Sequence, residues 1–240
     1  LETALAEART QRPFEFYAEV IYRARGLDRT MPVTWLQGTP LQGGAFVGLQ
    51  LWGIAAKSGE SCVTTVENEQ TGRGRLWQGD GFRMLHLPAV RGILPDGLLA
   101  RGHAAQAQQM FTNVGLGLHA HGFEYPDVVR TWIYVARLLD WYGDLNRIRT
   151  AHYRAAGLGI EGGPAFPAST GIQCRSGGEE CLVHVLALKS DRPDALVVKP
   201  IRGSRRQGQS FNYGSAFSRG MSLGLECHGT IHISVTASIN

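Results

Sequence analysis

The residues of this 240-residue chain best equipped for chemistry sit near its C-terminal end: Tyr213, Ser218, Arg219, Thr236 and Ser238. Arg219 carries a guanidinium, whose planar fork suits a carboxylate. Its other reading is a surface arginine that caps a strand. Tyr213 could donate a hydrogen bond to a substrate carboxylate, or be an amphipathic aromatic at a domain seam. Ser218, Thr236 and Ser238 could orient substrate oxygens, or be strand hydroxyls that face solvent. His119 and His121, with Glu124 nearby, look metal-like. Two positions apart on a helix face different directions, however, so they read as favourable cations at a helix C-terminus. No residue is assigned a catalytic role, and neither a metal nor a cofactor is expected.

Composition sets the frame for that chemistry. Hydrophobic residues make up 43% of the chain and charged residues 18%, a globular balance. The 31 glycines predict many tight turns rather than a helical bundle. The formal charge is +4 and spread out, with one basic cluster at Arg202, Arg205 and Arg206. A nucleic-acid stripe would need aromatic interleaving or a recognised motif, so neither DNA nor RNA is expected as a partner. A small anionic substrate fits the charge. No apolar run approaches the ~20 residues of a membrane span, and no membrane partner is expected. Four cysteines without a C-x-x-C pattern read as reduced thiols of a cytoplasmic protein. Cys174 and Cys181 flank a turn signal and could lie across from each other.

The elements that must position these groups change period along the chain. A short helix is expected up to Arg9, then strands over Phe14–Tyr22, Val33–Gln37, Ala45–Ala55 and Cys62–Glu67. Arg75–Trp77 and Phe82–Leu87 flank a hairpin signal at Gly79–Gly81. From His103 to His121 the apolar residues Ala107, Met110, Phe111, Val114 and Leu118 recur at helical spacing. A buried strand over Asp127–Ala136 and a second helix over Asp140–Gly157 follow, then a hairpin of Ala168–Cys174 with Cys181–Leu188. This order predicts an α+β fold, a mixed sheet with two helices packed on one face. The domain organisation expected is 1–189 for the first domain, 190–209 for a linker and 210–240 for the start of a second, which carries one or two strands. Some thirty residues cannot make their own core, so that tail must pair with the first domain, a second copy or further chain.

Three stretches carry a family resemblance: Arg130, Trp132 and Tyr134; the segment from Pro167, Ala168, Ser169, Thr170 and Gly171 to Ile172; and Tyr213, Gly214, Phe217, Ser218 and Arg219 followed by Ile233–Ile239. Together they resemble the chorismatases, two-domain enzymes of the YjgF-like (Rid) fold that remove pyruvate from chorismate. The resemblance implies a YjgF-like, chorismate-mutase-like fold and a chain that ends early in the second domain, before the family's acid–base glutamate. It also implies a homo-oligomer or a pseudo-trimeric assembly. Ser169 stands where deaminating Rid enzymes carry an arginine, which argues against imine deamination because the carboxylate loses its bidentate partner. Val235 replaces the expected glycine, where it could fill a pocket floor or forbid a backbone angle. The function implied is pyruvate release from chorismate to give a hydroxybenzoate or a dihydroxycyclohexadiene carboxylate. The alternative is a non-catalytic module of the same fold that binds a small metabolite or only assembles.

Overall fold

A computed structural model describes residues 30–37, 50, 52–54, 62–174, 178–203, 205, 207–225 and 228–235. Thr236 and Ser238, the expected N-terminal helix and strand, and most of the Ala45–Ala55 segment lie outside them.

Six strands form the main sheet: β1 (Val63–Asn68), β2 (Gly72–Gln78), β3 (Phe82–Arg91), β4 (Val128–Val135), β5 (Ala168–Gln173) and β6 (Cys181–Ser190). Their spatial order is β1-β2-β3-β6-β4-β5, antiparallel except for the parallel β4–β5 pair. The expected α+β architecture is present: helices α1 (His103–Ala120) and α2 (Leu138–Ala155) pack on one face of this mixed sheet. Ala107, Met110, Phe111, Val114 and Leu118 of α1 and Trp141, Leu145, Ile148 and Tyr153 of α2 bury against Leu85, Leu87, Ile133, Val135, Val183 and Val185. Gly117 lets α1 come down on the sheet, since a Cβ there would stand 2.4 Å from Thr71.

The expected hairpin of β5 with β6 does not form. The two strands lie on opposite sides of β4, so Cys174 and Cys181 are separated by Val135, and both are free thiols. The physical reason lies in burial. Cys181–Leu188 is apolar on both faces apart from His184 and so takes a central place, antiparallel to β3 and β4. The more polar β5 is left at the edge, reached from β4 by the α2 crossover that a parallel pair requires. Val33–Gln37 forms no regular strand; its one sheet-type contact is a bridge at Gln37. Pro88 falls in a bulge of β3, where its missing N–H costs no ladder bond.

Leu196–Ile201, inside the stretch read as a linker, is strand β7, and it pairs with β8 (Gly220–Leu225). β9 (His228–Ile233) completes this three-stranded sheet. Met221 and Leu223 of β8 pack against Met84, Val129, Ala168, Leu186 and Leu188, on the face of the main sheet away from the helices. The tail therefore pairs with the first part of the chain, one of the three options its composition allowed.

Candidate functional site

The tail is fastened to the free edge of β5 by hydroxyl groups. Ser218 bridges in parallel to Ala168, its amide donates to the Pro167 carbonyl at 2.9 Å, and its Oγ donates to the Phe166 carbonyl at 2.6 Å. Buried Ser234 accepts from the Ser169 amide at 2.8 Å and donates to the Ser218 carbonyl at 2.6 Å. Replacing Ser234 with Ala should strand both of those backbone groups and cost about 1–3 kcal/mol. Hydrogen exchange should then speed up at the amides of Ser169 and Ser234; unchanged exchange at both would mean the latch lies elsewhere.

Behind this latch sits a buried arginine, Arg149. Tyr142, Asn146, Arg149 and Tyr153 share one face of α2, by their three-, four- and seven-residue spacing. Arg149 is only 3% exposed. Its Nη2 donates to Asn146 Oδ1, its Nη1 lies 3.5 Å from Ser169 Oγ, and its Nε has no hydrogen-bond partner among the described residues. Burial pushes its pKa below the ordinary arginine range, while the tyrosines around it, Tyr153 and Tyr142 foremost, oppose that shift. The guanidinium lies 5.7 Å from the centre of the Phe217 ring. Arg219 approaches the same ring at 5.5 Å and the Tyr213 ring at 5.3 Å, and its Nε donates to the Gly208 carbonyl. Two cations thus share one aromatic ring, each drawn to its π-face. Tyr142 closes the seam from α2, its hydroxyl 3.3 Å from Ser215 Oγ. Burial alone would raise the Tyr142 phenol, but hydrogen bonds with Ser215 and Asn146 and the charge of Arg149 bring it below its usual value.

A second buried arginine stands on the other face of β5. A bulge at Val129 turns Arg130 to the side of Leu186, away from the helices. Arg130 Nη2 donates to Thr170 Oγ1, the hydroxyl that also accepts the Val235 amide at 3.2 Å. The guanidinium stacks 4.7 Å from the Trp132 ring, burial lowers its pKa to about 10, and its Nη1 has no partner among the described residues. Among the described residues no carboxylate pairs with Arg130 or Arg149.

The structure brings Tyr213, Ser218 and Arg219 to one seam with α2. Ser218 spends its donor on Phe166, so its hydroxyl fastens the tail. Tyr213 is 44% exposed and lies under Arg219. Val235 has its side chain exposed, so it fills no pocket floor there; among the described residues positive φ at a non-glycine occurs at Ala89, Arg137 and Asp194, so Val235 forces no forbidden angle. His119 pairs with Glu124 at 3.0 Å on the surface, and the described residues hold no group of three metal-ligating side chains. Sequence reasoning passed over Arg149, Tyr142 and Ser215. A signal existed for Arg149: it lies beside the apolar stripe of α2, and none of Leu145, Asn146, His152 and Tyr153, its helical neighbours, is acidic.

No family model and no curated protein matches the sequence. The solved structures it is similar to include RidA from the Antarctic bacterium Psychrobacter, 20% identical over 52% of this chain and 98% of RidA, with a TM-score of 0.42. Others are YyfA, a Rid-family protein from Yersinia pestis, at 18% identity over 52% of this chain and 98% of that one, TM-score 0.43, and yeast Mmf1, at 14% identity over 53% and 99%, TM-score 0.43. No helix among the described residues is long and apolar enough to cross a membrane.

Proposed function

We propose that this chain binds a small dianionic carboxylate at the seam between α2 and the 210–219 segment, and that chorismate, nominated by the chorismatase resemblance, is the first ligand to test. The observation that carries the reading is Arg149: a buried cation with no carboxylate partner among the described residues is a charge awaiting an anion. Arg219 on the same Phe217 ring supplies a second cation, matching a ligand with two carboxylates. Tyr142 and Tyr213 at this seam are partly exposed, at 38% and 44%.

Pyruvate release would demand more than binding. It needs a group that protonates the enol ether near neutral pH. The seam offers phenols, of which Tyr142 is brought down and Tyr153 is raised by burial. Even a lowered phenol is a weak general acid, and this supports a binding module over an enzyme. Calorimetric titration with chorismate should give saturable binding, and a parallel assay should detect no pyruvate. Arg219→Ala should weaken binding by roughly tenfold or more, about 1.5–3 kcal/mol, with Arg219→Lys recovering only part because a point charge lacks the fork. Pyruvate formed in proportion to protein would restore the enzyme reading. An affinity untouched by Arg219→Ala, with a lower melting temperature, would make that arginine a structural cap.

A further inference from the structure

A cavity opens at the far end of the β4–β5 ladder from Arg130 and Ser169. It has a volume of about 370 Å³, and the described residues in its lining are Ala136, Arg137, Gly178, Glu179 and Glu180. Ala136 and Arg137 follow β4, and Gly178 to Glu180 lead into β6, so the cavity sits where two neighbouring strands meet the start of α2. Its volume is at the lower end of the range for small-molecule sites, roughly 300–1,000 Å³.

Glu179 is the anomaly. Its side chain is 6% exposed, its Oε1 accepts from Arg91 Nη1 at 2.8 Å, and its Oε2 is buried with no hydrogen-bond partner among the described residues. An ionised oxygen left in that state costs free energy unless a donor reaches it. The last torsion of a glutamate is soft, so Oε2 can turn toward the cavity at small cost. Arg137, also in the lining, donates from Nη2 to both oxygens of Glu180, at 2.9 and 3.1 Å, and a guanidinium has further N–H donors to offer. The four charges, Arg91 with Glu179 and Arg137 with Glu180, already balance. A ligand that carries both an ammonium and a carboxylate keeps that balance; a lone cation or anion upsets it.

We infer that this cavity holds the head group of a small zwitterionic amino acid, its ammonium on Glu179 and its carboxylate on Arg137. The site is separate from the Arg149 seam and does not depend on it. The test uses glycine as the probe, with ethylamine and propionate as half-ligands, and follows the backbone amides of Ala136, Arg137 and Glu180 by nuclear magnetic resonance. Glycine should shift these amides saturably, and each half-ligand should bind at least about tenfold more weakly. Glu179→Gln keeps an acceptor for Arg91 but removes the charge, and should weaken glycine binding about tenfold; Arg137→Gln should do the same and serves if the first variant fails to fold. No saturable shift, equal shifts from propionate or ethylamine, or unchanged binding in a folded variant would overturn the proposal and leave Oε2 to an ordered water.

Discussion

Taking the protein from pH 7 to pH 4 should lower its stability by several kcal/mol, with two histidines carrying most of the loss. His86 of β3 and His184 of β6 meet at 6.0 Å on the sheet face away from the helices, and the Tyr134 ring lies 4.9 Å from His184. Burial lowers the pKa of His86 to about 4; burial, with His86 adding to it, lowers that of His184 to about 3. His184 Nε2 is buried without a hydrogen-bond partner among the described residues, so a proton there would find no acceptor among them. Between an unfolded pKa near 6.5 and these values the unfolded chain binds more protons than the folded one. Stability is therefore complete above about pH 6.5 and drains away as pH falls, at up to about 1.4 kcal/mol per pH unit for each histidine. Asp127, whose pKa burial raises, works in the opposite direction and blunts the effect. Thermal melts across this range should show the decline, and the double variant His86→Phe, His184→Phe should flatten it. A wild-type melting temperature that stays level to pH 4, or a double variant as acid-sensitive as the parent, would show that these rings are not held neutral by the fold.

The second large effect runs the other way. Replacing Arg149 with Met should stabilise the folded chain. The methionine fills a similar volume among Leu145, Tyr153 and Phe217 without a charge to desolvate. Buried ionic groups exchanged for apolar residues of like size are often neutral or stabilising, by about 1–4 kcal/mol. The Asn146 and Ser169 hydrogen bonds are lost, which offsets part of the gain. A rise in melting temperature of several degrees is the expected result. Stability gained where function is lost is the usual mark of a group kept for binding. A melting temperature lowered by several degrees would make Arg149 part of the scaffold.

The legible part of the fold was the part that local periodicity controls. α1 and α2 announce themselves by apolar spacing, and β1 to β4 by short apolar runs between turn residues. Pairing was not legible to the same degree. The turn signal between Cys174 and Cys181 pointed to a hairpin, yet the continuous apolar run of β6 marked a central strand, and burial prevailed over the local turn. β7 was hidden because its exposed, proline-bearing sequence resembles a linker; it is a strand because β8 supplies a ladder. At the seam, Tyr213 and Arg219 could be named from residue type. Arg149 could not be matched to them, since its place beside Phe217 depends on how the tail folds back over β5, a contact between residues far apart in sequence.

Calorimetric titration of chorismate into the wild-type chain and into Arg149→Met tests the central claim most directly. Saturable binding to the wild type, lost in a variant that is folded and melts at a higher temperature, is the predicted result. A folded Arg149→Met variant that binds chorismate as tightly as the wild type, or a wild type that does not bind it at all, would contradict a carboxylate site at this seam.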